Sequence, residues 1–486
     1  MKKIIKIGLI IALSFSIVAC SDKKGSSDFE AWSATLPAQL LGNSDYILYS
    51  LFDDPKNVGI DMDVDGLTIV TKEDYEEDIK EYKALLKQLR THDYDVLNDD
   101  QKITYDVLEE TFTSMINQKD DFYLNTNYFD VNDGVQSGLT LNISFMDLQS
   151  EEVIEAIIAV MKSCKEMFPK YVAFEEERQE HGYGMSKTYM AEVIEQVETF
   201  NKGDHTYVID SLNEKIENAS YLDKNAKTAY KKAVKDAYDN YLIPAFKQLE
   251  TSLKQVKIKT SDVDASLADY KGGKEYYRKL VYDTTGFSTV DAFDAFLSEQ
   301  EDKVTDRLIT LLNKYPSLYK TLQEDSMPAS DYTDLNSAND VLAYLEKMVN
   351  ESGDYPKVEN IKYTMEMVPS ALENIFSASA AYFIGPFDNP DCDETMVLNG
   401  SFTQDDYSTI AHEGFPGHMY QYRYFKNVEH NVLRDILGNG GYSEGWAVYA
   451  SHESNAYSND PAVNEYLSLN DDLVYIYIMR MDIDSL

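Results

Sequence analysis

The sequence contains few cysteines and few basic residues. Its three cysteines, Cys20, Cys164 and Cys392, form neither a disulfide framework nor a clustered metal motif, so we expect Cys164 and Cys392 to be free thiols. The 44 lysines and arginines are outnumbered by 85 acidic residues, which gives a formal net charge of −41. Nucleic-acid binding requires a basic surface, so this charge balance argues against a nucleic-acid partner.

Long apolar runs are missing beyond the first 20 residues. The chain starts with a lysine-rich segment and an uncharged apolar stretch over residues 7–18, which is shorter than the roughly 20 residues of a membrane span. It fits the apolar part of a signal peptide. The stretch ends in Ile17-Val18-Ala19-Cys20, which resembles the bacterial lipobox. We therefore expect a signal peptide over residues 1–19 and a lipid on Cys20. A polar tether over residues 20–30 would then hold the protein at the extracytoplasmic face of the cell membrane.

The remainder of the chain, residues 31–486, reads as one mainly helical unit. Apolar residues recur at helical spacing over 72–119, 150–200 and 222–258. Two further helix starts resemble capping boxes, Ser288 with Asp291 and Ser337 with Asp340. The Gly272-Gly273 pair suggests a soft lobe boundary near 260–273. Two short strand candidates remain, Gly66 to Val70 and Met396 to Asn399, so we predict a mainly α fold with a small β element.

Four of the seven histidines fall within 41 residues, and two of them flank a distinctive motif. His412 and Glu413 are followed by Gly414-Phe415-Pro416-Gly417 and then by His418. A zinc hydrolase requires neutral imidazole ligands and a carboxylate base beside the metal. Zinc peptidases commonly place both histidines on one helix face as His-Glu-x-x-His. Here the position of the second histidine is a proline, and a core histidine next to a loop histidine is the alternative interpretation.

The Pro-Gly pair resolves this spacing problem if it breaks the helix. In an unbroken helix, His412 and His418 would point about 240° apart around the axis. Pro416 removes a backbone donor and disfavours helical geometry at the residue before it, while Gly417 permits a bulged conformation. A bulge of two extra residues would return His418 to the face of His412.

Two neighbouring segments add to this pattern. Gly438-Asn439-Gly440-Gly441 precedes a predicted helix with Glu444 near its start, where a glutamate would supply a third zinc ligand. The alternative for Glu444 is an ordinary acidic residue in a first helical turn. Upstream, the apolar segment Met396 to Leu398 ends at Asn399 and could pair with substrate backbone as an edge strand. Its alternative is a plain buried segment.

These features together resemble the bacterial domain-of-unknown-function family 885, a zincin-like family related to the gluzincin metallopeptidases. The two specific strings are His-Glu-x-x-Pro-Gly-His and Glu-Gly-Trp-Ala, at 412–418 and 444–447. Weaker matches are Gly273 to Tyr277, Val368-Pro369, Ala381-Tyr382 with Gly385-Pro386, Asn399, Tyr420-Gln421 and Tyr449. The resemblance covers most of the chain after the tether.

The resemblance implies a fold, a ligand set and a reaction. It implies a helical shell around a zincin-like cleft, with Zn²⁺ held by His412, His418 and Glu444. Glu413 would be the general base for hydrolysis of short, extended peptide substrates. Family members usually continue beyond the point where this chain stops, so we expect a missing carboxyl-terminal part near the substrate.

Several choices stay open at this level. A second donor to the developing oxyanion could be Tyr442, Tyr449 or His452, and the two tyrosines are also candidate substrate-binding residues beside Asn399. An inactive lipoprotein that binds zinc or captures peptides is the first alternative function. A zinc hydrolase of a non-peptide amide or ester is the second, and a structural surface protein without metal is the third. The oligomeric state is not readable from these patterns.

Overall fold

The computed structural model describes most of the chain beyond the amino-terminal segment. The described residues are 25–132, 134–260, 266–323, 335–358, 361–368, 373, 379–403, 406–428, 430–457 and 461–484. Helices dominate this part, and three short strands form one sheet, so the predicted mainly α fold with a small β element is confirmed. Cys20 and the predicted signal peptide lie outside the described residues.

The amino-terminal third contains several short helices and two longer ones, α4 and α5, which pack against each other. The helices are α1 (Ser26–Ser33), α2 (Leu36–Leu40), α3 (Leu48–Leu51), α4 (Lys72–Leu89), α5 (Asp99–Asn117), α6 (Phe122–Asn125) and α7 (Val135–Phe145). Phe29 of α1 is 1% exposed and packs with Leu89 and Leu108. The polar tether was predicted to reach residue 30, but helix α1 begins at Ser26 because Phe29 and Trp32 enter this core.

The largest core lies among the next five helices, which carry the long amphipathic runs seen in the sequence. They are α8 (Glu151–His181), α9 (Lys187–Lys202), α10 (Tyr207–Asn218), α11 (Lys224–Ala237) and α12 (Ile243–Leu253), with a π-helical turn at Tyr238–Leu242 between the last two. Helix α8 passes through the centre and buries residues along its whole length, from Val153 to Gln179.

Four more helices lead to the sheet. They are α13 (Gly273–Thr285), α14 (Val290–Lys314), α15 (Pro316–Gln323) and α16 (Ala338–Ser352). The predicted N-cap at Ser337 is confirmed, because its side chain accepts from the Asp340 N–H at 3.2 Å, while the Asp340 carboxylate accepts from the Asn336 N–H instead of the Ser337 N–H that a capping box requires. The predicted cap at Ser288 is wrong by one residue: Thr289 caps α14 through the Ala292 N–H.

The sheet contains the strands β1 (Tyr363–Met367), β2 (Ala380–Phe383) and β3 (Glu394–Leu398) in the order β1-β3-β2. Strand β3 pairs in parallel with β1 and antiparallel with β2. The segment from Gly66 to Val70 is not a strand. It runs extended across α8, where the Leu67 N–H donates to Ser163 Oγ at 2.8 Å.

The last third supplies the residues with candidate chemistry. Its helices are α17 (Asp406–Glu413), α18 (His418–Lys426), α19 (Leu433–Ile436), α20 (Gly440–Ser454) and α21 (Pro461–Asp484). Helices α16, α17 and α18 share a buried core with the sheet, including Leu342, Ile410 and Phe415. Helix α21 packs along α14 through Leu469 and Leu297. Short 3-10 turns complete the described elements at Pro55–Val58, Tyr94–Val96, Leu267–Asp269 and Asn455–Tyr457.

Candidate metal centre

The Pro-Gly segment interrupts the helix between the two histidines. Helix α17 ends at Glu413, α18 begins at His418, and the four residues between them form a turn. The Gly417 N–H donates back to the Ala411 carbonyl at 3.0 Å. A side chain at Gly417 would place its Cβ 1.7 Å from the His412 carbonyl oxygen, so the turn requires glycine there. The break that the sequence predicted is therefore present.

This turn brings the two histidines together. The rings of His412 and His418 lie 4.8 Å apart between centroids and are perpendicular to each other. Ligand atoms of His412, Glu413 and His418 all fall within 4.8 Å of one another. His418 is 8% exposed, and its Nδ1 atom is buried without a hydrogen-bond partner among the described residues.

Glu444 reaches the same point from a separate helix. Helix α20 is capped by Asn439, whose side chain accepts from the Tyr442 N–H at 3.0 Å, and its Ala447 and Ala450 are fully buried. The Glu444 carboxylate lies 3.3 Å from His412 Nε2 through one oxygen and 3.5 Å from His418 Nε2 through the other. Helix α20 is also joined to the turn, because the Trp446 indole N–H donates to the Pro416 carbonyl at 3.0 Å.

Glu413 faces the sheet as well as the histidines. Its Oε2 accepts a hydrogen bond from the backbone N–H of Tyr382 at 2.9 Å. Burial raises the pKa of Glu413 to about 7; the Tyr382 N–H opposes this shift and the negative charge of Glu444 adds to it. The carboxyl group is therefore close to half-protonated at neutral pH, where a general base works best.

The electrostatics of His412 favour the neutral imidazole. Burial lowers the pKa of His412, the neighbouring His418 lowers it further, and Glu444 acts in the opposite direction. Metal ligation requires an unprotonated ring nitrogen. Lowering the pKa of His412 therefore leaves the ring in its ligand form at neutral pH.

The other two clustered histidines are bound elsewhere. His430 Nε2 lies 2.8 Å from Asp435, and His452 Nε2 lies 3.7 Å from Asp472 on α21. His452 was one of three candidates for the oxyanion donor, and its position beside α21 separates it from the paired histidines. Only His412 and His418 come together among the four.

Tyr442 and Tyr449 lie on other faces of α20 than Glu444. At about 100° per residue, their side chains project roughly 140–160° around α20 from Glu444. They are 68% and 55% exposed. Contacts of these two side chains with His412, His418 or Glu444 are not seen among the described residues, and their role in substrate binding stays a prediction. Tyr422 is closer, because its ring lies 6.4 Å from that of His418 and its hydroxyl is 3.2 Å from Ser443 Oγ.

The predicted edge strand is the central strand of the sheet. Met396 to Leu398 belong to β3, which pairs on both sides, so it has no edge to offer a substrate. Asn399 follows β3 and fastens the adjoining loop, with its N–H on the Ser379 carbonyl at 2.8 Å and its side-chain amide on the Glu373 carbonyl at 3.0 Å. The prediction of β3 as the substrate strand is therefore wrong, and the strand next to Glu413 is β2.

Sequence patterns gave no role to the residues behind Glu413, although Tyr382 belongs to one of the weaker family matches. The Tyr382 hydroxyl donates to Glu394 Oε2 at 2.6 Å, and Glu394 is fully buried. An isolated tyrosine and glutamate carry no spacing signal, because the contact forms only when β2 pairs with β3. Cys164 and Cys392 are both free, as predicted. None of the described helices has the length and apolar character needed to cross a bilayer.

Comparison with known proteins gives a family and a fold. The model of the family described as bacterial protein of unknown function (DUF885) matches residues 56–474. A solved structure of a protein described as a lipoprotein from Colwellia psychrerythraea is similar, with a TM-score of 0.74 and 14% identity over 94% of this chain and 82% of that chain. At this identity the likeness shows the fold alone. No protein with curated annotation matches the chain.

Proposed function

The chain belongs to the DUF885 family, and we propose that it is a zinc-dependent peptidase that hydrolyses short, extended peptides. One observation carries the proposal. Two imidazole Nε2 atoms lie 3.3 and 3.5 Å from the two oxygens of a single carboxylate on another helix. These residues are His412, His418 and Glu444.

The spacing of these atoms fits a tetrahedral metal ion. Ligand atoms at about 2.0–2.1 Å from zinc in a tetrahedron are about 3.3–3.4 Å from one another. Direct hydrogen bonds to a carboxylate are shorter, about 2.7–2.9 Å for a charged donor. Three protein ligands leave one position open, which is the arrangement of catalytic zinc sites. The unpartnered Nδ1 of His418 is a departure, because metal-bound imidazoles usually donate through their second nitrogen.

Glu413 is suited to move a proton at this site. When bound, zinc would supply Lewis acidity for the substrate carbonyl and for an attacking water. Glu413 would take the proton of that water and later deliver it to the departing amine. A pKa of about 7 lets the same carboxyl group act in both directions near neutral pH. The Tyr382 N–H donates to Oε2 of Glu413, so Oε1 would be the oxygen that takes the proton.

Strand β2 is the better candidate for substrate alignment. Its inner edge pairs with β3, and the Tyr382 N–H on its outer edge reaches Glu413. Backbone groups alternate between the two edges of a strand, so Ala380 faces the same side as Tyr382. Because Glu413 already occupies the Tyr382 N–H, an extended peptide would add next to Ala380 and so lie beside Glu413.

The proposed setting is the outer face of the cell membrane. It rests on the lipobox-like segment that ends at Cys20 and on the description of the similar Colwellia protein as a lipoprotein. The two-helix ligand set is also the arrangement of gluzincin metallopeptidases, to which we propose that this family is related. Peptides that reach the extracytoplasmic face would then be the substrates.

The test combines metal analysis with a peptide library. The purified protein should contain about one zinc per chain, since the three ligands form one site. Glu413→Gln should keep this zinc and lose about 10²- to 10⁴-fold in turnover. Glu453→Gln, an exposed glutamate on the same helix as Glu444, should match the wild type in both.

The outcomes separate the alternatives. Absence of zinc after metal reconstitution would refute the ligand set. Stoichiometric zinc with peptide binding but no cleavage would favour a peptide-capturing lipoprotein. Cleavage of amide or ester substrates alone would assign a different hydrolase. Full turnover by Glu413→Gln would exclude Glu413 as the base.

A further inference from the structure

A buried cluster of charges lies behind strand β2, on the side away from solvent. Glu394, the first residue of β3, is 0% exposed. Its Oε1 lies 3.3 Å from Lys426 Nζ and 3.5 Å from Arg423 Nη1. The side chains of both cations are at most 3% exposed, so one buried carboxylate faces two buried cations.

Stability alone is a weak explanation for such a cluster. Taking charges out of water is costly, and replacing buried ion pairs with apolar residues is often neutral or stabilising. The Arg423 Nε atom is also buried without a hydrogen-bond partner among the described residues. The surrounding chain is adapted to the cluster, because a Cβ at Gly385 would lie 2.6 Å from Cys392 Sγ and 3.2 Å from Lys426 Nζ.

Tyr382 joins this cluster to the candidate site. Its hydroxyl donates to Glu394 Oε2 at 2.6 Å and accepts a backbone hydrogen bond from Gly385. Its backbone N–H donates to Glu413 Oε2 at 2.9 Å. The same residue is therefore held at its side chain by Glu394 and holds Glu413 with its main chain.

The cluster also connects to the helix of His418. Arg423 and Lys426 are both on α18, which begins at His418. Glu394 thus bonds to β2 through Tyr382 and to α18 through the two cations. It lies at the point where the strand beside Glu413 and the helix of a candidate zinc ligand meet.

We propose that Tyr382 and Glu394 are positioning residues for Glu413. The hydrogen bond from the Tyr382 hydroxyl to Glu394 fixes the position and orientation of β2. The Tyr382 N–H then sets the direction of the Glu413 carboxylate. This inference rests on the proposed function for its catalytic consequence. Its geometric part, that the Tyr382 hydroxyl holds β2 against Glu413, stands without that function.

The test removes the hydroxyl and keeps the ring. Tyr382→Phe should lower kcat by about 10- to 100-fold with KM unchanged, the range seen when a supporting partner of an active site is removed. The matched control is Tyr363→Phe. Tyr363 is on the neighbouring strand β1, and its hydroxyl also donates to a carboxylate, Glu346 Oε2, at 3.1 Å, without contact to Glu413. A merely structural hydroxyl would lower the melting temperature in both variants and leave kcat alone.

A second measurement does not depend on turnover. Hydrogen exchange followed by mass spectrometry should show a loss of protection over residues 380–383 in Tyr382→Phe and not in Tyr363→Phe. Glu394→Gln should behave like Tyr382→Phe, and the double variant should be no worse than the more impaired single variant, because both act through one path.

Each result supports or overturns the inference. Unchanged exchange over β2 in Tyr382→Phe would overturn it, whatever the activity. Altered exchange with unchanged kcat in an active enzyme would overturn its catalytic part. If the wild type cleaves no peptide, the proposed function fails, and the exchange data still decide whether the hydroxyl positions β2. If Glu394→Gln does not fold, Tyr382→Phe and its control carry the test alone.

Discussion

Ionisation of Glu413 should destabilise the metal-free protein. The group has a pKa of about 7 in the folded chain, against an ordinary value of 4.5, chiefly because it is buried. Below 4.5 the carboxyl group is protonated in both folded and unfolded chains, and its contribution to stability is fully present. This contribution is lost as the pH rises through 7, since the folded chain must then bury a charge. Glu413→Gln removes the titrating group and should abolish this part of the pH dependence.

The magnitude follows from the two pKa values. A difference of one pKa unit is worth about 1.36 kcal/mol, so the full effect is about 3 kcal/mol. Most of it, about 2.5 kcal/mol, falls between pH 5 and pH 8. Unfolding entropy near 2.1 cal/mol/K per residue gives about 1 kcal/mol/K for 486 residues. The melting temperature of Glu413→Gln relative to the wild type should therefore be about 2–3 °C higher at pH 8 than at pH 5.

Thermal melts of chelator-treated protein measure this effect directly, as the difference in melting temperature between Glu413→Gln and the wild type at pH 8 compared with the same difference at pH 5. Glu299→Gln serves as a control with the opposite sign, because a hydrogen bond from Lys303 lowers the pKa of Glu299 at the exposed surface of α14. If Glu413→Gln and the wild type melt with the same offset at both values of pH, burial does not raise the pKa of Glu413. The assignment of Glu413 as a base tuned to neutral pH would then lose its support.

Four further results are expected. Glu444→Ala should lose stoichiometric zinc in metal analysis, and full retention would exclude it as a ligand. Gly417→Ala should lower the free energy of unfolding by about 1–3 kcal/mol and weaken zinc binding, because the added Cβ would clash with a backbone oxygen. Its control is Gly438→Ala, which has open space around it and should change neither the melting temperature nor the zinc affinity. Peptide turnover should fall as the pH drops below the pKa of Glu413, which is about 7 without metal and which the positive charge of bound zinc should lower; turnover that does not fall at any acidic pH where zinc stays bound would contradict this role. Cys20→Ser should move the protein from the membrane fraction to the soluble fraction in cells, and unchanged fractionation would refute lipid attachment.

Local patterns predicted the helices well and their ends less well. The run over 72–119 became α4 and α5, since each has its own cap, at Thr71 and Asn98. Ser337 and Asp340 form the predicted cap of α16. At α14 the choice between Ser288 and Thr289 depends on one residue of backbone geometry, which composition does not encode.

The strands show where sequence reasoning stops. The segment from Gly66 to Val70 has β-forming residues, yet it packs on α8 and pairs with no described strand, because Gly66 lies against Ser163. The segment of β3 was correctly predicted as a strand, but it was predicted to lie at the edge of the sheet and it lies at the centre. Its residues Met396 and Val397 are fully buried, which is a property of a central strand and not of an edge. Only the long-range pairing with β1 and β2 decides between the two.

The residues of the candidate site also differ in how far local sequence could predict their contacts. His412, Glu413 and His418 are close in sequence, so the chemistry of the Pro-Gly turn was sufficient to predict their proximity. Glu444 is 32 residues from His412. The glycine-rich loop before it predicted its separate helix, but its assignment to the same ligand set as the histidines came from the family resemblance. Tyr382 appeared only as a weak match to the family, without a role, and Glu394 had neither source of information. Their contact exists only after β2 has paired with β3, which makes it a tertiary property.

The two tyrosines on α20 show what proximity in sequence leaves undecided. Tyr442 and Tyr449 flank Glu444 in the chain, and on that basis they were candidates for the site. A helix turns about 100° per residue, so both project from the face opposite the carboxylate. Tyr422 is 22 residues from Glu444, yet its hydroxyl is 3.2 Å from Ser443, because α18 and α20 pack side by side. Its ring also lies 6.4 Å from that of His418, so Tyr422 joins Tyr442 and Tyr449 as a candidate donor to a developing oxyanion.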